Sequence, residues 1–352
     1  MEGRRLKVAS SPLVTVLMPV YNCRDSVART MDSVLAQTLE NFEFLIMNDS
    51  STDNTRDVVL SYADPRIRLI DNATNLGCGP SLAAGLQESR GEYVCRIDAD
   101  DTCTPHRLAA QVKALEQSGA NVCFCRATFH NDVDGTSRKW AEIDWDRACW
   151  HGLFGCSYGL HPALMFRRLP VVSIGGYDRS FRYSQDYDLY DRLVAKGERF
   201  IYLPDLLVDY HFNERSVSVR RKEEQDQFAR QVSSRAIRRL LPDAAVEEAQ
   251  GLRWLFVERE NLGAGYIGAA LPAVERLIAS FCRHQNVSAD CSWLLRDVAV
   301  CLAAKMHQVK SWPDRKKILS LITRFIIRSR SPRTALSCLR AGIRSTLGNE
   351  DI

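Results

Sequence analysis

The sequence predicts an α/β domain built on an open sheet flanked by helices, with an all-helical appendage after it. Three observations lead there. Apolar runs of strand length alternate with segments of helical spacing through the first hundred residues. Three of those runs end in polar clusters: Pro19-Val20-Tyr21-Asn22, Asn48-Asp49 and Asp98-Ala99-Asp100. After Arg220 the strand signals stop and only helical spacing continues. At 352 residues the chain is too long for one minimal core and suits two domains.

Each element has its own signature. Leu13 to Pro19 is a continuous apolar run, as expected of a strand covered on both faces. Ser26 to Gln37 places Val27, Met31, Val34 and Leu35 at helical spacing. Phe42 to Met47 is the next strand, Thr55 to Tyr62 a helix and Ile67 to Ile70 a strand. Asn75 to Pro80 is a turn-rich loop that opens a helix at Ser81 to Ser89. Tyr93 to Ile97 is the fourth strand. This alternation implies a parallel sheet with helices on both faces, and such sheets bind ligands at the carboxyl ends of their strands. The middle, from Thr102 to Ser218, is mixed and holds Trp140, Trp145, Trp150, Phe154 and Tyr158. The predicted boundaries are residues 13–220 for the sheet domain and 221–352 for the helical region.

Composition narrows the function. Hydrophobic content of 45% and charged content of 26% are those of an ordinary globular protein. A net charge of +4 gives no global field for nucleic acid. Twelve cysteines occur without a C-x-x-C pair, which argues for a reduced compartment and against structural zinc. The N-terminus lacks an apolar signal core, and Ile318 to Ile327 is too short to span a bilayer. The expected location is the cytoplasm, peripherally on the inner face of the membrane. Between Lys305 and Arg344 the only acid is Asp314. Ile318, Leu319, Ile322, Phe325 and Ile326 recur there at helical spacing among Lys316, Lys317, Arg324 and Arg328. Residues 316–344 therefore suit an anionic membrane surface, and they equally suit a core-facing helix with a solvated basic edge.

The most informative stretch is Gly91 to Asp101, a short strand that ends in three carboxylates within four positions. Like charges so close require a cation, solvent or donors to offset their repulsion. One reading is a divalent metal held over a phosphate. The other is a solvated acidic turn that caps the next helix.

Four motifs in order carry a resemblance. Thr15 to Asn22, Asn48 to Thr55, Asp98-Ala99-Asp100-Asp101, and Gly175-Gly176-Tyr177-Asp178 through Gln185-Asp186-Tyr187-Asp188-Leu189 resemble the motifs of family 2 glycosyltransferases over about residues 13–218. The resemblance implies a GT-A-like, nucleotide-binding mixed sheet. Residues 13–101 form its nucleotide-sugar half and 102–220 its acceptor half. It also implies inverting, metal-dependent transfer from a nucleotide-sugar, with a UDP-sugar expected, to a hydroxyl on a lipid-linked or cell-envelope glycan.

Roles follow residue by residue. Asp100 is the expected ligand of Mn²⁺ or Mg²⁺, which take few protein ligands beside phosphates. Asp98 is expected at the ribose or behind the metal, and Asp101 as a helix cap. Asp49 is expected to accept a hydrogen bond from the base. Pro19, Tyr21, Asn22, Asn75 and Gly77 complete the expected nucleotide-sugar contacts. Thr52 and Asp53 are expected to cap the next helix. Asp186 matches the family's catalytic base, which removes the acceptor proton.

Three positions depart from the family pattern. Gln185 stands where a Glu usually precedes the base. Leu82 stands where many members are basic, so no phosphate contact is assigned there. Asn213 stands at the position of a usual His, with His211 two residues earlier as a substitute contact or a plain surface histidine. His161 is a further expected acceptor contact, and the three tryptophans an expected acceptor platform or core.

A nucleotidyltransferase on a similar sheet is disfavoured, because Pro19 to Asp25 supplies no Gly- and Arg/Lys-rich triphosphate loop after the first strand. A catalytically silent nucleotide-sugar binder or scaffold is kept open by Gln185 and Asn213. A dinucleotide oxidoreductase is disfavoured because no G-x-G-x-x-G follows the first strand.

Overall fold

The computed structural model describes residues 11–155, 158–212, 220–257, 264–288, 291–306, 309 and 312–329. They fall into two compact units. One runs through Trp145 and includes Tyr158–Phe228; the other joins Asp146–Ser157 to the chain from Ala229 onward.

The first unit is built on one mixed sheet. Its strands are β1 (Val14–Val20), β2 (Phe42–Asn48), β3 (Ile67–Asp71), β4 (Tyr93–Arg96), β5 (Thr102–Cys103), β6 (Val122–Asn131), β7 (Thr136–Lys139), β8 (Leu164–Arg167) and β9 (Phe200–Phe212). The order is β3-β2-β1-β4-β8-β6-β9-β5, with β7 on β6. The four strands read from the first hundred residues are mutually parallel, as expected. β8 then runs antiparallel to both β4 and β6, which makes the sheet mixed.

The pattern of residues explains the strands. β2 is buried at every position and β1 at all but Pro19, because helices cover both faces. The charged Glu43 inside β2 is fully engaged. It accepts from Thr15 Oγ1 at 2.7 Å, from the Arg90 amide at 2.7 Å and from Arg68 Nη1 at 2.6 Å. Helix α1 (Val27–Leu35) buries Val27, Met31 and Val34 at the spacing expected. Helix α2 spans Thr55–Leu60.

Helix α3 spans Cys78–Glu88, three residues earlier than the expected start at Ser81. Gly79 and Pro80 read as turn residues, but a proline in the first turn of a helix costs no hydrogen bond. The real boundary is Gly77, whose φ of +93° is open to glycine.

Register sets the site. β1 and β2 are level, Val20 opposite Asn48, and Asn48 lies opposite Asp71. Arg96 at the end of β4 lies opposite Leu17. The segments that follow β1, β2, β3 and β4 therefore emerge along one edge, as expected of such a sheet. The remaining helices of this unit are α4 (Arg107–Ser118), α5 (Trp145–His151), α6 (Arg168–Ser173) and α7 (Gln185–Ala195). Helix α5 begins at Trp145, the end of the first unit's opening segment, and its remaining residues belong to the second.

The second unit is helical: α8 (Lys222–Leu240), which begins within the first unit, α9 (Val246–Phe256), α10 (Ala264–Gln285), α11 (Ser292–Lys305) and α12 (Trp312–Ser329). Its core includes Val232, Ile237, Leu277, Phe281, Val298, Leu302, Ile318 and Phe325. Trp150 belongs here, edge-on to Phe154, Phe256 and Phe281. Among the described residues no helix is long and apolar enough to cross a membrane.

Candidate active site

The site starts with Asp49, just past β2. Its carboxylate is buried and accepts from Asn72 Nδ2 at 2.8 Å, the Leu76 amide at 2.9 Å and the Gly77 amide at 2.8 Å. Asn75 donates to the Asp49 carbonyl at 3.3 Å. Asp49, Asn75 and Gly77 are thus one assembly, a loop clasped at the entrance of α3. A carboxylate has about four acceptor directions, so three internal donors leave it room for one more. Asn72 tightens the clasp by also donating to Ser81 Oγ at 2.9 Å.

Past β1, the Asn22 side chain ties its loop to the neighbouring one. Asn22 Oδ1 accepts from the Thr52 amide at 2.8 Å and Nδ2 donates to Thr52 Oγ1 at 3.2 Å. Its φ of +50° is one asparagine tolerates. Pro19 lies within β1, and Tyr21 stands 49% exposed at the edge. Thr52 and Asp53 were expected as caps. Asp53 does accept from the Thr55 amide at 2.9 Å, whereas Thr52 serves Asn22.

The three acids after β4 have three different surroundings. Asp98 Oδ1 accepts from Arg96 Nη2 at 2.5 Å. Asp100 is half-buried, and its carbonyl accepts from Arg29 Nη2 at 2.8 Å. Asp101 is fully buried, and it does not cap a helix. Strand β5 intervenes, and α4 begins at Arg107 after His106. Instead Asp101 Oδ1 accepts the His211 amide at 2.9 Å and its carbonyl accepts Thr30 Oγ1 at 2.7 Å. Burial raises its pKa well above the usual carboxylate range, and Asp98 and Asp100 add to the effect.

The acceptor-side motif reaches the same place from far along the chain. Ser184 precedes α7 with φ +54°, and Gln185 and Asp186 open the helix. Gln185 Nε2 donates to Cys78 Sγ at 3.6 Å. Arg96 Nη2 approaches the same sulfur at 3.9 Å. Burial pushes the Cys78 thiol up to about 11; Arg96 opposes this, and Asp98 and Asp186 reinforce it. Gln185 and Arg96 therefore both meet one sulfur atom, which links the acceptor-side motif to the end of β4. Asp188 is buried and paired with Arg192 at 2.8 Å, a structural contact.

His161 lies inside the wall of the site rather than on its surface. It is 8% exposed, with Nε2 2.8 Å from the Tyr177 hydroxyl. Burial holds its pKa well below the usual 6.5, and the Arg96 charge acts the same way. Burial raises the Tyr177 hydroxyl, with Arg96 opposing and Cys78, Asp186 and Asp98 adding. His211 stacks on His130 at 4.9 Å between ring centroids, and its Nδ1 lies 3.0 Å from Asp132 Oδ1. Asn213 lies outside the described residues.

The tryptophans have separate surroundings. Trp145 is edge-on to Phe200. Trp140 lines a cavity of about 110 Å³ with Arg126, Glu142, Leu160 and Tyr202.

Arg96 and Tyr177 were missed as site residues. Arg96 carried a signal: a charge inside the apolar run Tyr93 to Ile97 must be paired when that run is buried. It is 1% exposed; burial works against its charge, and Asp98 leads the neighbours that together more than offset it. Tyr177 sits in the matched Gly-Gly-Tyr-Asp motif but carries no charge to single it out.

Oxygen ligands are the chemistry that Mg²⁺ and Mn²⁺ prefer. Among the described residues no three His, Cys, Asp or Glu side chains are placed to hold an ion. A lone carboxylate beside a bound diphosphate fits these ions, which keep waters and take phosphate oxygens. Asp98 is committed to Arg96 and Asp101 is closed off by burial, so Asp100 is the one of the three suited to it.

Residues 15–172 match the family described as Glycosyl transferase family 2. The chain is 31% identical over 220 residues to the putative glycosyltransferase EpsE of Bacillus subtilis, covering 60% of this chain and 77% of that one. It is 28% identical over 191 residues to WfaP of Escherichia coli, a UDP-Glc:α-D-GlcNAc-diphosphoundecaprenol β-1,3-glucosyltransferase, covering 53% and 71%. Other curated relatives are spanned for 58% and 59% of their length. Among solved structures, that of Staphylococcus aureus TarS 1-349 with UDP-GlcNAc matches with a TM-score of 0.58 at 16% identity, over 92% of each chain. At that identity the likeness shows a shared fold.

Proposed function

The chain belongs to glycosyltransferase family 2, and on that premise we propose that it moves a sugar from a UDP-sugar to a hydroxyl acceptor with inversion at the anomeric carbon. One observation carries the reading: Gln185, which precedes Asp186 in the acceptor-side motif, donates to Cys78 Sγ at 3.6 Å, and Arg96, the partner of Asp98 in the acidic run, approaches the same sulfur at 3.9 Å. A donor-side acid and a base from the opposite half of the sequence thus share one neighbourhood, as bond exchange at one carbon requires.

The steps follow from the residues. Tyr21 offers an exposed ring to the base, and the remaining acceptor direction of Asp49 suits an imide N–H. Asn22, Asn75 and Gly77 hold the two loops that frame the nucleotide. Asp186 sits in the first turn of α7. It takes the acceptor hydroxyl proton as that oxygen bonds to the anomeric carbon. The bond from that carbon to the phosphate oxygen breaks with its electron pair, and the nucleoside diphosphate leaves. Mg²⁺ or Mn²⁺ at Asp100, when bound, would spread the leaving charge over the phosphates.

The relative WfaP, whose name specifies a diphosphoundecaprenol acceptor, supports a lipid-linked acceptor. The exposed side of α12 supports an anionic membrane surface. Lys316, Lys317, Arg324 and Arg328 are exposed there beside Leu319 and Ile327.

The test is release of nucleotide from UDP-, GDP- and dTDP-sugars with Mn²⁺ or Mg²⁺, comparing wild type with Asp100→Ala and Asp186→Ala. Release from one donor, reduced about 100-fold or more in Asp186→Ala, is expected. Binding of a donor with no release on any acceptor would instead support the silent-binder reading. Absence of both would overturn each.

A further inference from the structure

We infer that Arg182 is the protein's own cation for the donor's diphosphate. The inference rests on the transferase reading above and adds to it a residue that no motif assigned.

A leaving nucleoside diphosphate needs positive charge beyond a single metal ion, and helix α3 offers none. From Cys78 to Glu88 it has no basic residue, and Leu82 is fully buried. Among the described residues four other cations near the site are already engaged, two by carboxylates and two by neutral acceptors. Arg96 is held by Asp98, Arg192 by Asp188, Arg29 by the Asp100 carbonyl and Arg179 by Gln87.

Arg182 differs in both placement and pairing. Two glycines at the opening of α3 make room for it and for its neighbour. A Cβ at Gly77 would lie 3.0 Å from Arg182 Cγ and 3.2 Å from Nε. A Cβ at Gly79 would lie 2.1 Å from the Phe181 carbonyl oxygen. The loop whose amides Asp49 clasps is therefore moulded to the Phe181–Arg182 segment. That places the Arg182 stem directly on Gly77, one residue from Cys78 and its partners Arg96 and Gln185. The guanidinium is exposed, 5.9 Å from the Tyr183 ring centroid, and among the described residues no carboxylate pairs with it.

A guanidinium presents a planar fork of donors that matches two phosphate oxygens at once. Arg182 donates hydrogen bonds to the diphosphate and holds them as the glycosidic oxygen takes the electron pair. No proton passes to or from the arginine. Because the charge it meets grows as the bond breaks, its removal lowers kcat as well as affinity.

The experiment measures binding to the full chain with Mg²⁺ present. The probes are UDP, GDP and dTDP, with uridine, guanosine and thymidine as competitors at millimolar concentration. The proteins are wild type, Arg182→Lys and Arg182→Gln. For the diphosphate that wild type binds, Arg182→Gln should weaken affinity by about 10- to 100-fold, with Arg182→Lys between. The matching nucleoside should compete equally in all three, and the diphosphate deficit should shrink as salt is raised. A diphosphate affinity unchanged in Arg182→Gln overturns the inference and leaves the transferase reading standing. Equal losses for nucleoside and diphosphate, in the lysine variant as well, assign Arg182 a structural role and also overturn it. A wild type that binds no diphosphate removes the transferase reading and the inference together.

Discussion

Arg96 reaches across a single residue to Asp98, with Nη2 2.5 Å from Oδ1, so the acidic run carries its own counter-charge. The guanidinium is buried and also donates to the Ile97 carbonyl. This pairing separates the three acids: one paired with an arginine, one half-buried, one buried.

Breaking that pair should cost more than removing it. Arg96→Met leaves Asp98 unpaired and should destabilise the chain by roughly 3 kcal/mol in urea unfolding. The double variant Arg96→Met with Asp98→Asn should recover part of that loss. A double variant no more stable than Arg96→Met alone would show that the ion pair is not what the arginine contributes.

Gly79 is expected to tolerate no side chain. An alanine Cβ there would meet the Phe181 carbonyl at 2.1 Å, a backbone atom that cannot rotate away. Gly79→Ala should cost about 1–3 kcal/mol and weaken donor binding by displacing residues 181–182. Gly155→Ala is the control, since a Cβ there meets nothing within 4 Å and φ is not positive. Similar melting temperatures for the two variants would refute the packing account.

His161 should make stability depend on pH. Burial depresses its pKa, so as pH falls the unfolded chain takes up a proton first, near the ordinary 6.5. Its contribution is complete above that value and is lost as pH falls toward the depressed one. Between pH 6.5 and 5, wild type should lose stability faster than His161→Gln, by up to about 1.4 kcal/mol per pH unit. Parallel curves for the two proteins would remove His161 as the cause.

Helix α12 is expected to matter for membrane binding and not for chemistry on a soluble acceptor. Replacing Lys316 and Lys317 with Glu and Ile327 with Ser should abolish pelleting with vesicles rich in anionic lipid. Nucleotide release in solution should remain. Retained pelleting would show that the exposed basic face is merely solvated.

The strands and their acidic ends could be read from the sequence because burial on two faces leaves unbroken apolar runs. Polar residues at their ends then stand out. Asp49, Asp98 and Asp100 were therefore found as residues of interest, and Asp186 through the resemblance of its motif; the structure brings the first three to one sheet edge and sets Gln185, beside Asp186, against Cys78. What local pattern cannot carry is a partner far along the chain. The partner of Asp101, the amide of His211, lies 110 positions away, so the acid looked like a helix cap. The start of α3 was misplaced because Gly79 and Pro80 are turn residues everywhere except in a first helical turn. Arg182 was not singled out by any local pattern, since the glycines that receive it precede it by about a hundred residues. The aromatic-rich segment gave no hint that Trp150 belongs to the helical unit while Trp140 lines a cavity in the other.

The two sides of Cys78 differ in how far apart their partners lie in the sequence. The clasp of Asp49 on Gly77 joins residues 28 positions apart, whereas Gln185 reaches Cys78 across 107. Closing the longer loop costs more chain entropy, and none of that cost is recovered until α7 is in place. During synthesis the clasp of Asp49 on Gly77 can therefore close while Asp186, the proposed base, is still untranslated. The early half of the site is thus local in the chain, and its completion waits for the docking of one late helix.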